Sequence, residues 1–141
     1  MRDLPMPARV FGLGGLIPFL GLALACWVRP ELSEALLAYG ATILAFLGAV
    51  HWGFALTDGR APWWRFGLGV LPALIAWVAL LLPVGMGLVL LATGIAATAL
   101  VERAAARQGL VPAPYLALRY VLSAGAIGGL LVGVVALVFI A

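Results

Sequence analysis

The sequence is poor in charge: among 141 residues it has no lysine, one histidine and one cysteine, and only 9% of its side chains are charged against 66% hydrophobic. A soluble domain is about a quarter charged because its surface must face water. A soluble chain this small has too much surface to leave so little of it polar. Lipid tails accept apolar side chains on every face, so the composition implies a membrane protein. The lone Cys26 excludes an intramolecular disulfide, a zinc cluster and a Cys-x-x-Cys redox pair. The lone His51 excludes a bis-histidine haem within one chain. The basic residues, all arginine, are not gathered on a soluble module, which argues against a nucleic-acid partner. No nucleophile–base pair or metal-ligand constellation stands out, and a non-enzymatic role is expected over catalysis.

What the chain does have is long apolar runs. A spanning helix needs about 20 apolar residues, because the hydrocarbon layer is ~30 Å thick and each residue rises ~1.5 Å. Five segments qualify, at about 10–28, 32–56, 62–82, 84–101 and 115–141. The expected fold is all-α, a polytopic bundle of five transmembrane helices forming a single domain over residues 1–141. The first run ends in Leu22-Ala23-Leu24-Ala25-Cys26, like a lipoprotein cleavage site, but it is too long for a signal-peptide core and is expected to be retained as a spanning helix. Alternating the five helices puts Arg2, Arg9, Arg60, Arg65, Arg103, Arg107 and Arg119 on one side and Arg29 alone on the other. Positive residues resist translocation, so the N-terminus is expected in the cytoplasm and the C-terminus in the periplasm, in the inner membrane of a bacterium. Trp63, Trp64, Tyr115 and Tyr120 fall where an aromatic belt at the cytoplasmic interface should lie, and Trp27 marks the outer end of the first helix.

Helices in lipid associate through close packing and buried hydrogen bonds. The fifth helix carries Gly125, Gly129 and Gly133 at intervals of four, and the second a row at Ala41, Ala45, Ala49 and Gly53. Such faces serve internal packing, or else a homodimer or a larger inner-membrane complex, with the fifth helix the candidate for that outward face. Phe11-Gly12-Leu13-Gly14 recurs as Phe66-Gly67-Leu68-Gly69, with Pro18 echoed by Pro72, consistent with either a parallel duplication or chance in a Gly- and Leu-rich chain. Both prolines fall inside helices, where each frees a carbonyl and kinks the axis.

An ionisable residue inside a membrane is costly and faces the protein interior or a cavity. Counting back from Asp58, His51 lies roughly 10 Å inside the second helix. Gly48 and Ala55, one turn to either side, leave space beside it for another helix or a ligand. Three readings stay open: a neutral histidine bonded to a neighbouring helix, a ligand for a quinone headgroup or haem, and a proton relay. Met86 lies at the opposite face, so a haem would need a second subunit. Trp52 brings an indole donor to the depth of His51, and Trp77 suits either stacking on a ligand or filling the bundle. Glu102 is the expected partner of Arg119, unless these charges only anchor helix ends. His51, Trp52, Trp77, Glu102 and Arg119 are therefore the candidate ligand-binding residues, around a cavity between the second, third and fifth helices.

Tyr39-Gly40-Ala41 through Phe46-Leu47-Gly48-x-x-His51-Trp52-Gly53 resembles the signature of domain-of-unknown-function family 3429, which includes mitochondrial transmembrane protein 69 and many proteobacterial proteins. Gly15-Leu16-Ile17-Pro18-Phe19 is similar to its opening motif, and Leu71-Pro72-Ala73-Leu74-Ile75-Ala76-Trp77 to its third-helix motif. Pro114-x-x-x-x-Arg119 resembles its Pro-Trp-Tyr-x-x-Leu-Arg stretch with the tryptophan replaced, and Glu102-Arg103 stands where the family tends to have Asp-Arg. The resemblance implies a five-helix inner-membrane protein and no particular reaction. Two functions are expected from the residues: an accessory or assembly subunit docking through its small-residue faces, or a binding module for a quinone or haem around His51.

Overall fold

The first apolar run breaks where glycine and proline meet. Pro18 has no N–H to offer the Gly14 carbonyl, and its ring crowds that oxygen. The run accordingly divides at Gly15 into α1 (Met6–Gly14) and α2 (Leu16–Ala25), two segments of one span over Met6–Ala25. Gly15 keeps right-handed helical angles, so the break is a bend rather than a turn. Its carbonyl accepts a 2.7 Å hydrogen bond from the Tyr39 hydroxyl, which staples the bend to the next span. The structure, a computed structural model, describes residues 3–140. Those residues contain five helical spans long and apolar enough to cross a membrane, and no strand.

A short 3-10 turn at Pro30–Leu32 leads into α3 (Ser33–Asp58). Gly59 ends that helix at φ 72°, a left-handed position that glycine enters without a Cβ penalty. Pro62 and Pro83 set the starts of α4 (Trp63–Leu81) and α5 (Val84–Arg107). Helix α6 covers Ala113–Ile140. The apolar run of the fourth span ends near residue 101. The helix instead runs on to Arg107, since Ala104, Ala105 and Ala106 are strong helix formers and Glu102 points inward rather than marking an end.

Helix α3 touches every other span, while α6 packs against α5 and α2, and α4 against α3 and α5. Its buried face is Gly40, Leu44, Gly48, His51 and Ala55, which follows the helical period. The row at Ala41, Ala45, Ala49 and Gly53 does not hold one face. Steps of four drift by about 40° each around a helix, so Ala41 is buried, Ala45 half-buried, and Ala49 and Gly53 are exposed. Gly53 has open space beside it.

Gly125, Gly129 and Gly133 of α6 pack inside the chain, while Gly128 is exposed with open space beside it. Gly125 packs against Leu16, Gly129 against the backbone of Phe19, and Gly133 against Leu36. A Cβ at Gly129 would stand 3.2 Å from the Phe19 carbonyl oxygen, so the small residues let the first span and α3 close onto α6. On the other side of α3, a Cβ at Gly48 would stand 2.8 Å from the Gly69 carbonyl and 3.0 Å from the Pro72 ring. The space beside His51 anticipated from Gly48 is thus filled by α4.

Candidate functional site

Three helices bring His51, Glu102 and Arg119 together at one depth. His51 stands seven residues before the end of α3, Glu102 five before the end of α5, and Arg119 six after the start of α6. These ends share one side of the bundle, so the three groups form a layer roughly 8–10 Å inside it. All are buried, with side-chain exposures of 3%, 0% and 1%.

His51 Nε2 lies 2.9 Å from Glu102 Oε1. To an ionised carboxylate, which only accepts, this hydrogen bond would be donated by an Nε2–H. Arg119 Nε donates to the same Oε1 at 3.2 Å and lies 2.9 Å from Oε2. Arg119 Nη1 donates to Ser123 Oγ at 2.9 Å. Two charges at this depth are tolerated because each neutralises the other and hydrogen bonds from His51 and to Ser123 take up part of their remaining capacity. Two atoms of the network are buried without a hydrogen-bond partner, the donor Arg119 Nη2 and the acceptor Glu102 Oε2. One turn earlier on α6, the Tyr115 hydroxyl is also buried, close to the Arg119 guanidinium and the Glu102 carboxylate.

Arg119 and Tyr115 stand in the wall of a cleft of about 340 Å³, which lies between the first span, α3 and α6. A smaller lobe of about 100 Å³ extends it past Gly15 toward Phe19, with Arg119 again in its wall. The remaining side chains lining both lobes are apolar. Phe11 and Phe46 flank the cleft with exposures of 81% and 64%, so it opens sideways, onto the surface that lipid covers.

The cleft differs from the expected cavity in which helices enclose it. The expectation used the second, third and fifth spans, but Gly48, Gly69 and Pro72 close α3 onto α4. Gly12 and Gly15, on the bent first span, line the opening instead. Trp52 takes no part in it: its indole donates to the Phe66 carbonyl at 3.0 Å and meets the Phe66 ring edge-on at 5.2 Å, tying α3 to α4. Trp77 is 59% exposed and faces outward. His51 lines neither lobe and acts on Arg119 through Glu102.

Sequence reasoning missed a second buried arginine. Arg65 donates to Asp58 at 2.8 Å and 2.9 Å, while Arg60 donates to the Gly109 carbonyl at 2.9 Å. Together they lock the turn after α3 to the turn before α6. The Asp58-to-Arg65 spacing across a Gly-containing turn was the available signal.

A helical bundle with five membrane-length spans, a buried His–Glu–Arg layer and a cleft open to the lipid face defines a polytopic membrane protein. The family described as "Protein of unknown function (DUF3429)" matches residues 4–135, and the chain belongs to that family. Among curated proteins, it is 44% identical over 88 residues to Transmembrane protein 69 of Xenopus tropicalis, covering 57% of this chain and 35% of that one. It is 35% identical over 88 residues to Transmembrane protein 69 of Mus musculus, covering 57% and 36%. The match spans about a third of the length of these relatives. No solved structure matches the chain.

Proposed function

We propose that this protein is a membrane-embedded binding module for a lipid-soluble molecule with a hydrogen-bond-accepting headgroup, of the quinone class, and that Arg119 holds the headgroup. One observation carries the reading: Arg119, whose Nη2 is buried without a hydrogen-bond partner, lines with Tyr115 a cleft whose other lining side chains are apolar. An unsatisfied buried donor costs about 1–3 kcal/mol, and more when charged. A ligand oxygen would remove that cost, and the lateral opening between Phe11 and Phe46 admits a molecule dissolved in the bilayer. His51 and Glu102 are positioning residues that fix the guanidinium. The haem alternative is weaker, because His51 Nε2 already faces Glu102 and the imidazole lies outside the cleft. An accessory or assembly role is the second reading; Gly125, Gly129 and Gly133 lend it less support, because they pack against Leu16, Phe19 and Leu36 of the same chain. The arginine bias supports an N-terminus in the cytoplasm of a bacterium, with the Arg119 layer in the cytoplasmic half of the inner membrane.

The test is extraction of lipid from protein purified in mild detergent out of its native membrane. A quinone recovered in near-equimolar amount is expected, well above its ratio to lipid in the starting membrane. Recovery only at the bulk membrane ratio would overturn the reading.

A further inference from the structure

On the arginine-rich side of the bundle, the acidic side chains are already committed or out of reach of α5. Asp58 is paired with Arg65 and Arg60, and Glu102 with Arg119. Asp3 precedes the first span, which makes no contact with α5. Among the described residues, Arg103 and Arg107 of α5 have no ion-pair partner, and both are exposed. By helical geometry they fall with Leu100 within about 60° of one another around α5, turned away from the buried side that carries Ile95 and Glu102. Leu100, one turn deeper in the span, is 67% exposed. Arg60 brings a third cation to this corner, because it donates at 2.9 Å to the carbonyl of Gly109, just past the end of α5. We propose that this face of α5 binds an anionic phospholipid, with Arg103 and Arg107 on the phosphodiester and the acyl chains along Leu100. The proposal is independent of the ligand reading above, since no residue of α5 lines the cleft.

Two like charges four residues apart on a helix repel one another. The α5 C-terminus relieves part of this at Arg107, and an anion held between the two guanidinium groups relieves the rest. A guanidinium is weakly hydrated and presents its N–H donors as a fork that matches two phosphate oxygens. Arg103 leaves the helix roughly 6 Å short of its end, a depth from which its long side chain reaches the headgroup level. The face then passes from charged to apolar within one turn, as a phospholipid does between headgroup and acyl chain. An acidic protein segment outside the membrane would match the arginines and leave Leu100 unmatched. A zwitterionic headgroup brings a cation of its own beside the guanidinium groups, so a headgroup with net negative charge is selected.

The experiment titrates the delipidated, detergent-purified protein with dioleoyl phosphatidylglycerol or dioleoyl phosphatidylcholine and counts bound lipid by native mass spectrometry. The unaltered protein is expected to bind phosphatidylglycerol roughly tenfold tighter than phosphatidylcholine. Arg103→Gln combined with Arg107→Gln is expected to lose most of that preference while keeping its affinity for phosphatidylcholine. Both sites are exposed and glutamine is a good helix former, so the variant retains the fold. Arg29→Gln, at the opposite end of the bundle, is expected to keep the preference. Equal affinity for the two lipids would overturn the proposal and leave an acidic protein segment as the occupant. An unchanged preference in the double variant would also overturn it, as would displacement of the bound lipid by millimolar inorganic phosphate, which would make this a site for free phosphate.

Discussion

From Leu47 toward Arg29, the interior of the bundle is mostly leucine, alanine and glycine, joined by Phe19, Cys26 and Ser33, with Leu36, Leu44, Leu88, Leu91, Ile95 and Leu130 almost fully enclosed. From His51 toward Arg65 the buried residues include His51, Arg65, Glu102 and Arg119. The first region is held by shape. Its glycines admit the side chains of neighbouring helices, and no single contact is worth much. The second region is held by a few interactions that are costly to break and leave little freedom in how the helices meet. The cleft sits at the boundary, where Gly12 and Gly15 thin out the packing on one side and Arg119 anchors the other. The difference shows why a ligand site would arise there: the apolar half is too well filled, and the polar half supplies a rigid donor.

Removing one partner of the ionic layer should do the most damage. Glu102→Ala leaves Arg119 buried without its counter-charge and is expected to cost about 3–5 kcal/mol in denaturant unfolding in detergent. Replacing both partners, as in Glu102→Leu with Arg119→Leu, should recover much of that loss. If the single variant unfolds like the unaltered protein, the polar half is not held by charge. A change of shape at constant volume in the other half should matter less, with Leu91→Met costing below ~1.5 kcal/mol in the same measurement. A larger loss there would show that the apolar half is as exacting as the polar one. The smallest effect belongs to the lipid-facing surface, where Trp77→Leu should shift stability by no more than ~0.5 kcal/mol. A substantial loss at Trp77 would mean that its outward face is covered by a partner.

Much of this layer was legible from residue types alone. Only a buried environment explains a histidine seven residues inside an apolar helix, and Glu102 was the nearest acid that could reach Arg119. Trp52 and Trp77 were less legible, because a helix interior specifies depth but not direction until the neighbours are known. Trp52 turned to α4 because Gly69 leaves room beneath its indole. Tyr115 carried no signal beyond its place in an aromatic belt; its burial appears only once Phe54 and the α5–α6 turn pack over its ring.

The amino-acid sequence by itself determined the five spans, their alternation and the gathering of arginines on one side. Each of these follows from local quantities: run length against bilayer thickness, and the cost of charge in lipid. The tertiary structure alone decided that Gly125, Gly129 and Gly133 of α6 face inward, that α3 and α4 close around Gly48, and that the open space lies beside the first span. Those outcomes depend on which small residue meets which large one across helices. That is a matter of pairwise fit between distant segments, and hydropathy carries no record of it.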